Sequence, residues 1–154
     1  MNLTDHFSLE ELTSSSIALR KGIPNVPNDE QVANLTLLAQ TLERVRELLG
    51  PFHIDSAFRS PKVNSAVGGS PTSAHLEGYA ADIVCPSYGG PLEVCKAIQG
   101  SGIPYDQLIM EGGEKGWTHI SVDPKMRREV LTARFINGKA TYSQGIVQED
   151  TQAS

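Results

Sequence analysis

The chain has 154 residues, with 13 Lys and Arg against 18 Asp and Glu and a formal net charge of −5. That length suits one domain, and 39% hydrophobic with 20% charged residues supports a packed core rather than wholesale disorder. The acidic balance argues against a nucleic-acid binder and a basic membrane-surface protein, and no apolar run approaches the roughly 20 residues that span a bilayer.

The opening segment Met1–Leu12 has neither a basic start nor a continuous apolar stretch, so synthesis in the cytoplasm without a cleavable signal is expected. Ser8 and Glu11 have capping-box spacing and predict a short helix over Ser8–Ser15. Asn28 is a good N-cap, with Asp29 and Glu30 at the positive end of a helix dipole. Behind it Val32, Leu35, Leu38, Leu42, Val45 and Leu49 recur at spacings of three and four, one stripe of a long helix suited to packing on a sheet. Gly50-Pro51 supplies its stop.

Alternation of Phe52, Ile54 and Phe58 with polar or small residues predicts a strand over Phe52–Phe58, ended by Pro61. A helical turn around Val63–Val67 and a loop over Gly68–Pro71 follow. Tyr79–Val84 suits a buried strand and Leu92–Ile98 a short helix. Cys85 and Cys95 are too few for a disulfide framework and too far apart for a CxxC clip, and are expected as reduced packing residues. Gln107–Met110 and Trp117–Val122 read as strands joined by the glycine-rich loop Gly112–Gly116. The polar tail past about Gly145 is expected to fray. Helices mixed with hairpin-joined strands indicate a single α+β domain over residues 1–154.

Chemistry concentrates in Ser73-Ala-His75-Leu-Glu-Gly78-Tyr-Ala-Ala-Asp82. His75 and Asp82 can both ligate a metal if a turn and a strand fold them onto one side; Gly78 permits the turn, and Ala80 and Ala81 leave space. His119 in Trp117-Thr-His119 adds a second imidazole. Two imidazoles and a carboxylate, with a fourth position open, form the ligand set of a catalytic zinc site.

Ser-x-His-x-x-Gly-x-Ala-x-Asp followed by Trp-x-His resembles the zinc D-Ala-D-Ala carboxypeptidase and L-alanyl-D-glutamate endopeptidase family, whose hedgehog/DD-peptidase fold is shared with hedgehog signalling domains. Phe58-Arg59-Ser60-Pro61 resembles the family's upstream element. Val67-Gly68-Gly69-Ser70 and the opening Phe7–Glu11 resemble a bacteriophage subgroup, so the likeness covers roughly residues 3–135. The resemblance implies a small, mainly antiparallel sheet packed by helices around one Zn2+ per chain, held by His75, Asp82 and His119. It implies hydrolysis of peptidoglycan stem peptides, either as an endopeptidase or as a D,D-carboxypeptidase. The natural setting is an endolysin released to the bacterial cell wall or a wall-degrading part of a virion, expected as a monomer with no nucleic-acid partner and no membrane insertion.

Where some members of that family place a Glu or a second His just before the last ligand, this chain has Gly116 and Trp117. The nearest acids are Glu111 and Glu114. If the loop closes an antiparallel pair, Glu111 lies opposite Trp117 and Ile109 opposite His119, so Glu111 and His119 share a face. That favours Glu111 as general base over Glu114, which sits near the loop tip.

Arg59 suits a substrate carboxylate or a developing oxyanion, or else pairs with Asp55. Ser73 is either an N-cap or a substrate hydrogen-bond partner. Trp117 is expected to pack against the site, Glu77 to be solvated, and His6 and His53 to be structural. Two other readings stand beside the peptidase: a zinc-binding structural or virion-associated module without hydrolysis, and a cysteine hydrolase using Cys85 or Cys95.

Overall fold

The computed structural model describes residues 1–147, and small polar caps punctuate its first third. Ser8 Oγ accepts from the Glu11 amide to start α1 (Leu9–Thr13). The helix expected to run on to Ser15 stops earlier, and Ser15 caps a second helix, α2 (Ser16–Lys21), that periodicity did not reveal. Consecutive serines compete for the backbone and favour caps over helix interiors, so Ser14-Ser15-Ser16 breaks one helix and begins another.

Asn28 and Gln31 form a full reciprocal capping box at the start of α3 (Asp29–Leu49). Its stripe of Leu35, Leu38, Leu42, Val45 and Leu49 is buried, and the helix stops at Gly50 as expected.

Strand β1 (His53–Ser56) is shorter than the Phe52–Phe58 expected, and its pairing is irregular after Ile54. Past Ser56 the backbone leaves the sheet: the Phe58 amide donates to Leu12 O and the Arg59 amide to His75 O. Alternating polarity marks an extended chain, but here the later residues find partners outside the ladder.

Helix α4 (Pro61–Ala66), strand β2 (Ala80–Val84), helix α5 (Pro91–Gln99), and strands β3 (Gln107–Glu111) and β4 (Trp117–Ser121) fall within two residues of the expected spans. Two further strands, β5 (Glu129–Ile136) and β6 (Lys139–Gln144), were not anticipated. They are joined by Asn137-Gly138, both at positive φ (52° and 77°), the two-residue turn that suits the twist of a hairpin. The polar tail lies, from residue 148 on, outside the described residues.

The strands form one six-stranded sheet in the order β1-β2-β4-β3-β5-β6, antiparallel except for the β3–β5 pair. The architecture is the expected α+β one, a mainly antiparallel sheet packed by helices. Its core occupies one face, where Ile83, Leu108 and Ile120 join the α3 stripe and Val94, Cys95 and Ile98 of α5. Because side chains alternate along a strand, Asp82, Ile109 and His119 point to the other face. Both cysteines are free and buried.

The turn from β4 to β5 crosses the start of β3 and is fastened there by Asp106. Its carboxylate accepts from the backbone amide, Nε and Nη2 of Arg127, each at 2.9 Å. The Asp106 amide meanwhile donates to Ser121 O, and its carbonyl accepts from the Glu129 amide. Hydrogen bonds from Arg127 hold the Asp106 carboxyl below the ordinary Asp range.

A carboxyl depressed in the folded state contributes stability above its unfolded pKa of about 3.9 and loses it as pH falls through the folded value. Asp106→Ala is therefore expected to cost about 2 kcal/mol at neutral pH, typical of charge-assisted bonds. It should also make thermal unfolding less sensitive to acid below about pH 4. Melting curves of both proteins from pH 7 to 2.5 measure this; equal melting temperatures at pH 7 would show that the crossing holds without it.

Candidate metal centre

Asp82 and His119 are Cα partners on the adjacent strands β2 and β4, so their side chains emerge together from the face opposite the core. His75 reaches them from a single 3₁₀ turn, Ala74–Glu77, capped by Ser73 Oγ. That turn is held against α3: Gln31 Nε2 donates to Leu76 O and Asn34 Nδ2 to Glu77 O. Gly78 closes it at φ 82°, where a β-carbon would stand 2.9 Å from the Gln31 carbonyl oxygen. The glycine is required twice over, by its left-handed backbone and by this close approach.

The three side chains are buried, and one potential ligand atom from each lies within 4.8 Å of the others. His75 Nδ1 lies 2.6 Å from Ala57 O, and since a carbonyl only accepts, Nδ1 carries the proton. In the neutral ring Nε2 is then a bare lone pair, facing Asp82 Oδ1 at 3.3 Å. Burial pushes His75 below its ordinary pKa, overcoming the attraction of Asp82, so the neutral ring is favoured. Burial alone would raise Asp82, yet the neighbouring histidines hold it far below the carboxylate range. Two lone-pair donors that face each other in a buried site fit a cation between them. His119 Nδ1 completes the set 3.1 Å from the same Asp82 oxygen; burial disfavours its charge, but Asp82 outweighs this and raises its pKa. The carbonyl behind His75 is the outer-shell partner that fixes tautomer and ring orientation in metal sites.

Arg59 packs beside this cluster rather than with Asp55, which lies near His53. Its Nη2 is 3.6 Å from Asp82 Oδ2, and Nη1 donates to Asn64 Oδ1 at 3.4 Å. Asn64, buried on α4, also donates to Ser70 O and so ties the glycine loop to the arginine. A β-carbon on Gly69 would overlap Asn64 Oδ1 and crowd Arg59, so the loop has no room for a side chain there. Sequence reading passed over Asn64, which has no signal apart from its place three residues after Pro61.

Glu111 and Trp117 are Cα partners and Ile109 pairs with His119, the register expected from the sequence. Glu111 shares the sheet face that carries Asp82 and His119, and Trp117 Nε1 donates to its Oε2 at 2.6 Å. Trp117 thus orients the carboxylate as well as packing, which no feature of the sequence announced. Burial, joined by the nearby Asp82 charge, raises the Glu111 pKa more than His119, Trp117 and Arg59 lower it. Glu114 lies on the 3₁₀ turn Gly113–Lys115 and lines a separate cavity of about 400 Å³. Ser73, Arg59, Glu111 and the three candidate ligands line one cleft of about 810 Å³.

A family model described as Peptidase M15 matches residues 5–121, most of the chain and all of these side chains. The chain belongs to the peptidase M15 family. No curated protein matches it. M15 enzymes are zinc-dependent metallopeptidases, and the buried His-Asp-His donors fit that metal. The match ends at the last residue of β4, so the β5–β6 hairpin lies beyond it. Nothing in the cleft suits cysteine chemistry: burial pushes the Cys95 thiol up to about 12, and neither cysteine lines the cleft. Among the described residues no helix is long and apolar enough to cross a membrane.

Gly78→Ala combines left-handed strain with a clash against the α3 backbone, together about 1–3 kcal/mol. Expected are a lower melting temperature and, because the His75 turn must shift, lower zinc content by elemental analysis. Full zinc loading in Gly78→Ala would show that the turn is not positioned by its contact with α3.

Proposed function

We propose that this M15 protein hydrolyses peptide bonds in the stem peptides of bacterial peptidoglycan. The observation that carries the reading is the convergence in one cleft of an open three-donor metal set, an oriented carboxylate and a fixed guanidinium. His75 Nε2, Asp82 and His119 Nδ1 are the proposed zinc ligands. When bound, zinc supplies Lewis acidity that polarises a scissile carbonyl and acidifies water.

Glu111, held by Trp117, takes the proton from the attacking water and delivers it to the leaving amine. Its raised pKa suits both halves of that transfer. Arg59, tethered by Asn64, offers its charge to a substrate carboxylate or to the developing oxyanion. Ser73 keeps a hydroxyl proton free for the substrate backbone while its oxygen caps the turn. The Glu111 carboxylate beside the candidate ligands favours hydrolysis over a structural module that only holds zinc. The proposed setting is the bacterial cell wall, reached on release of an endolysin or within a virion, with the enzyme acting as a monomer.

Mass spectrometry of peptidoglycan fragments identifies the bond cut. Digestion is expected to release new amino termini, to stop with a chelator and to resume with zinc. Because metal binds the native state, chelation should also lower the melting temperature. Digestion that continues in fully metal-free protein would overturn the reading.

Glu111→Gln preserves size and should retain zinc while lowering kcat by about 100-fold or more, the usual worth of a positioned general base. Near-normal turnover in this variant, with Glu114→Gln inactive, would move the base to the loop.

A further inference from the structure

On the face that carries the metal donors, the sheet continues for three more strands. His119, Ile109, Leu131 and Gln144 lie in one register row across β4, β3, β5 and β6. Neighbouring strands are about 4.8 Å apart, so three steps extend the row about 14 Å from His119. Ile109, Leu131 and Ala133 form an apolar cluster of their own, separate from the main core. Ile109 and Leu131 line the open cleft, where the other face of the sheet has helices.

One row further along the strands, Tyr142 pairs with Ala133; beyond it Phe135 pairs with Ala140. These pairs of one large and one small residue leave both aromatic rings standing over the cleft, about half exposed. The Phe135 ring lies against Trp117 at 6.0 Å between centroids, which joins this wall to the residue that orients Glu111. Half-exposed aromatics beside an apolar strip, flanked by the Gln107–Glu129 pair on the next row, are a poor solution for an isolated surface and a good one for gripping a ligand.

We propose that this trough is a subsite for the substrate chain. It binds an extended peptide on one side of the scissile bond, with Phe135 and Tyr142 as its outer wall. At about 3.3–3.6 Å per residue, 14 Å accommodates about four residues. The floor suits small alkyl side chains, and the rings suit the aliphatic stem of a longer one. The inference rests on the peptidase reading and deepens it: the hairpin beyond the family-matched residues sets how much of the peptide is read.

The test uses stem peptides of two to five residues, shortened in separate series from either end. It measures kcat/KM with the zinc-loaded enzyme and calorimetric affinity with the Glu111→Gln protein. In one series, both quantities should rise with each residue up to about the fourth. Phe135→Ala with Tyr142→Ala should flatten that rise by about tenfold or more, the scale of losing two aromatic contacts. Tyr142→Phe, which keeps the ring, should preserve it. Unchanged melting temperatures would show that the double variant is folded, as expected for exposed side chains. A length dependence absent in the unaltered protein, or undiminished in the double variant, would overturn the trough. Length-dependent binding by Glu111→Gln, with no turnover of any peptide by the unaltered protein, would uphold the trough and overturn the peptidase reading.

Discussion

The Asp82 carboxylate is a charge in a place where charge is expensive, and much of the surrounding structure answers that expense. It is almost fully buried on β2, an interior strand, with His75 and His119 on one oxygen and Arg59 near the other. An isolated carboxylate there would neutralise rather than ionise. It stays ionised because three nitrogen-bearing side chains from three separate segments converge on it. Each convergence requires its own support: α3 holds the turn that carries His75, α4 and the glycine loop hold Arg59, and the β2–β4 ladder sets His119 directly opposite. A metal ion satisfies the same demand with a full positive charge, and the donors are arranged for one.

Local departures from regularity serve this centre. β1 ends at Ser56, and the residue that follows supplies instead the Ala57 carbonyl that fixes the His75 tautomer. The next residues donate to Leu12 and His75 rather than to a ladder partner. Gly78 and Gly69 stand where backbone must approach other groups too closely for any side chain. These glycines shape the shell that holds the donors at fixed spacing, the condition under which a carboxylate and two imidazoles act as one site.

The sheet divides its labour by alternation. Leu108, Met110 and Ile120 face the helices and build the core, while Ile109, Glu111 and His119 face the cleft. A slip of one residue between β3 and β4 would exchange these sets, so burial of the core enforces the register that brings Glu111 to the candidate metal donors. Core packing and the placement of the candidate base are therefore one constraint. The β5–β6 hairpin extends the same face sideways and turns a point-like site into a trough.

Much of this was legible in the sequence because it depends on short-range physics. The α3 stripe, the cap at Asn28 and the β3–β4 register follow from side-chain periodicity, and periodicity is a property of the chain alone. The motif around His75 and Asp82, with the family resemblance it carries, marked these two and His119 as a candidate donor set before any coordinates. Local signals were also missed: Asn137-Gly138 is a hairpin turn written in two residues, and the serine run before α2 is a row of caps. Other features had no local signal. That β1 would release Ala57 to His75, that Asn64 would hold Arg59, and that Trp117 would orient Glu111 each depends on where distant segments come to rest. A hydrogen bond between residues far apart in the chain leaves no period and no motif. The sequence by itself determined which side chains could form a metal centre and which face of each element they would occupy. Only the tertiary structure decided their partners, because a buried polar atom takes whichever group the packing brings within about 3 Å of it.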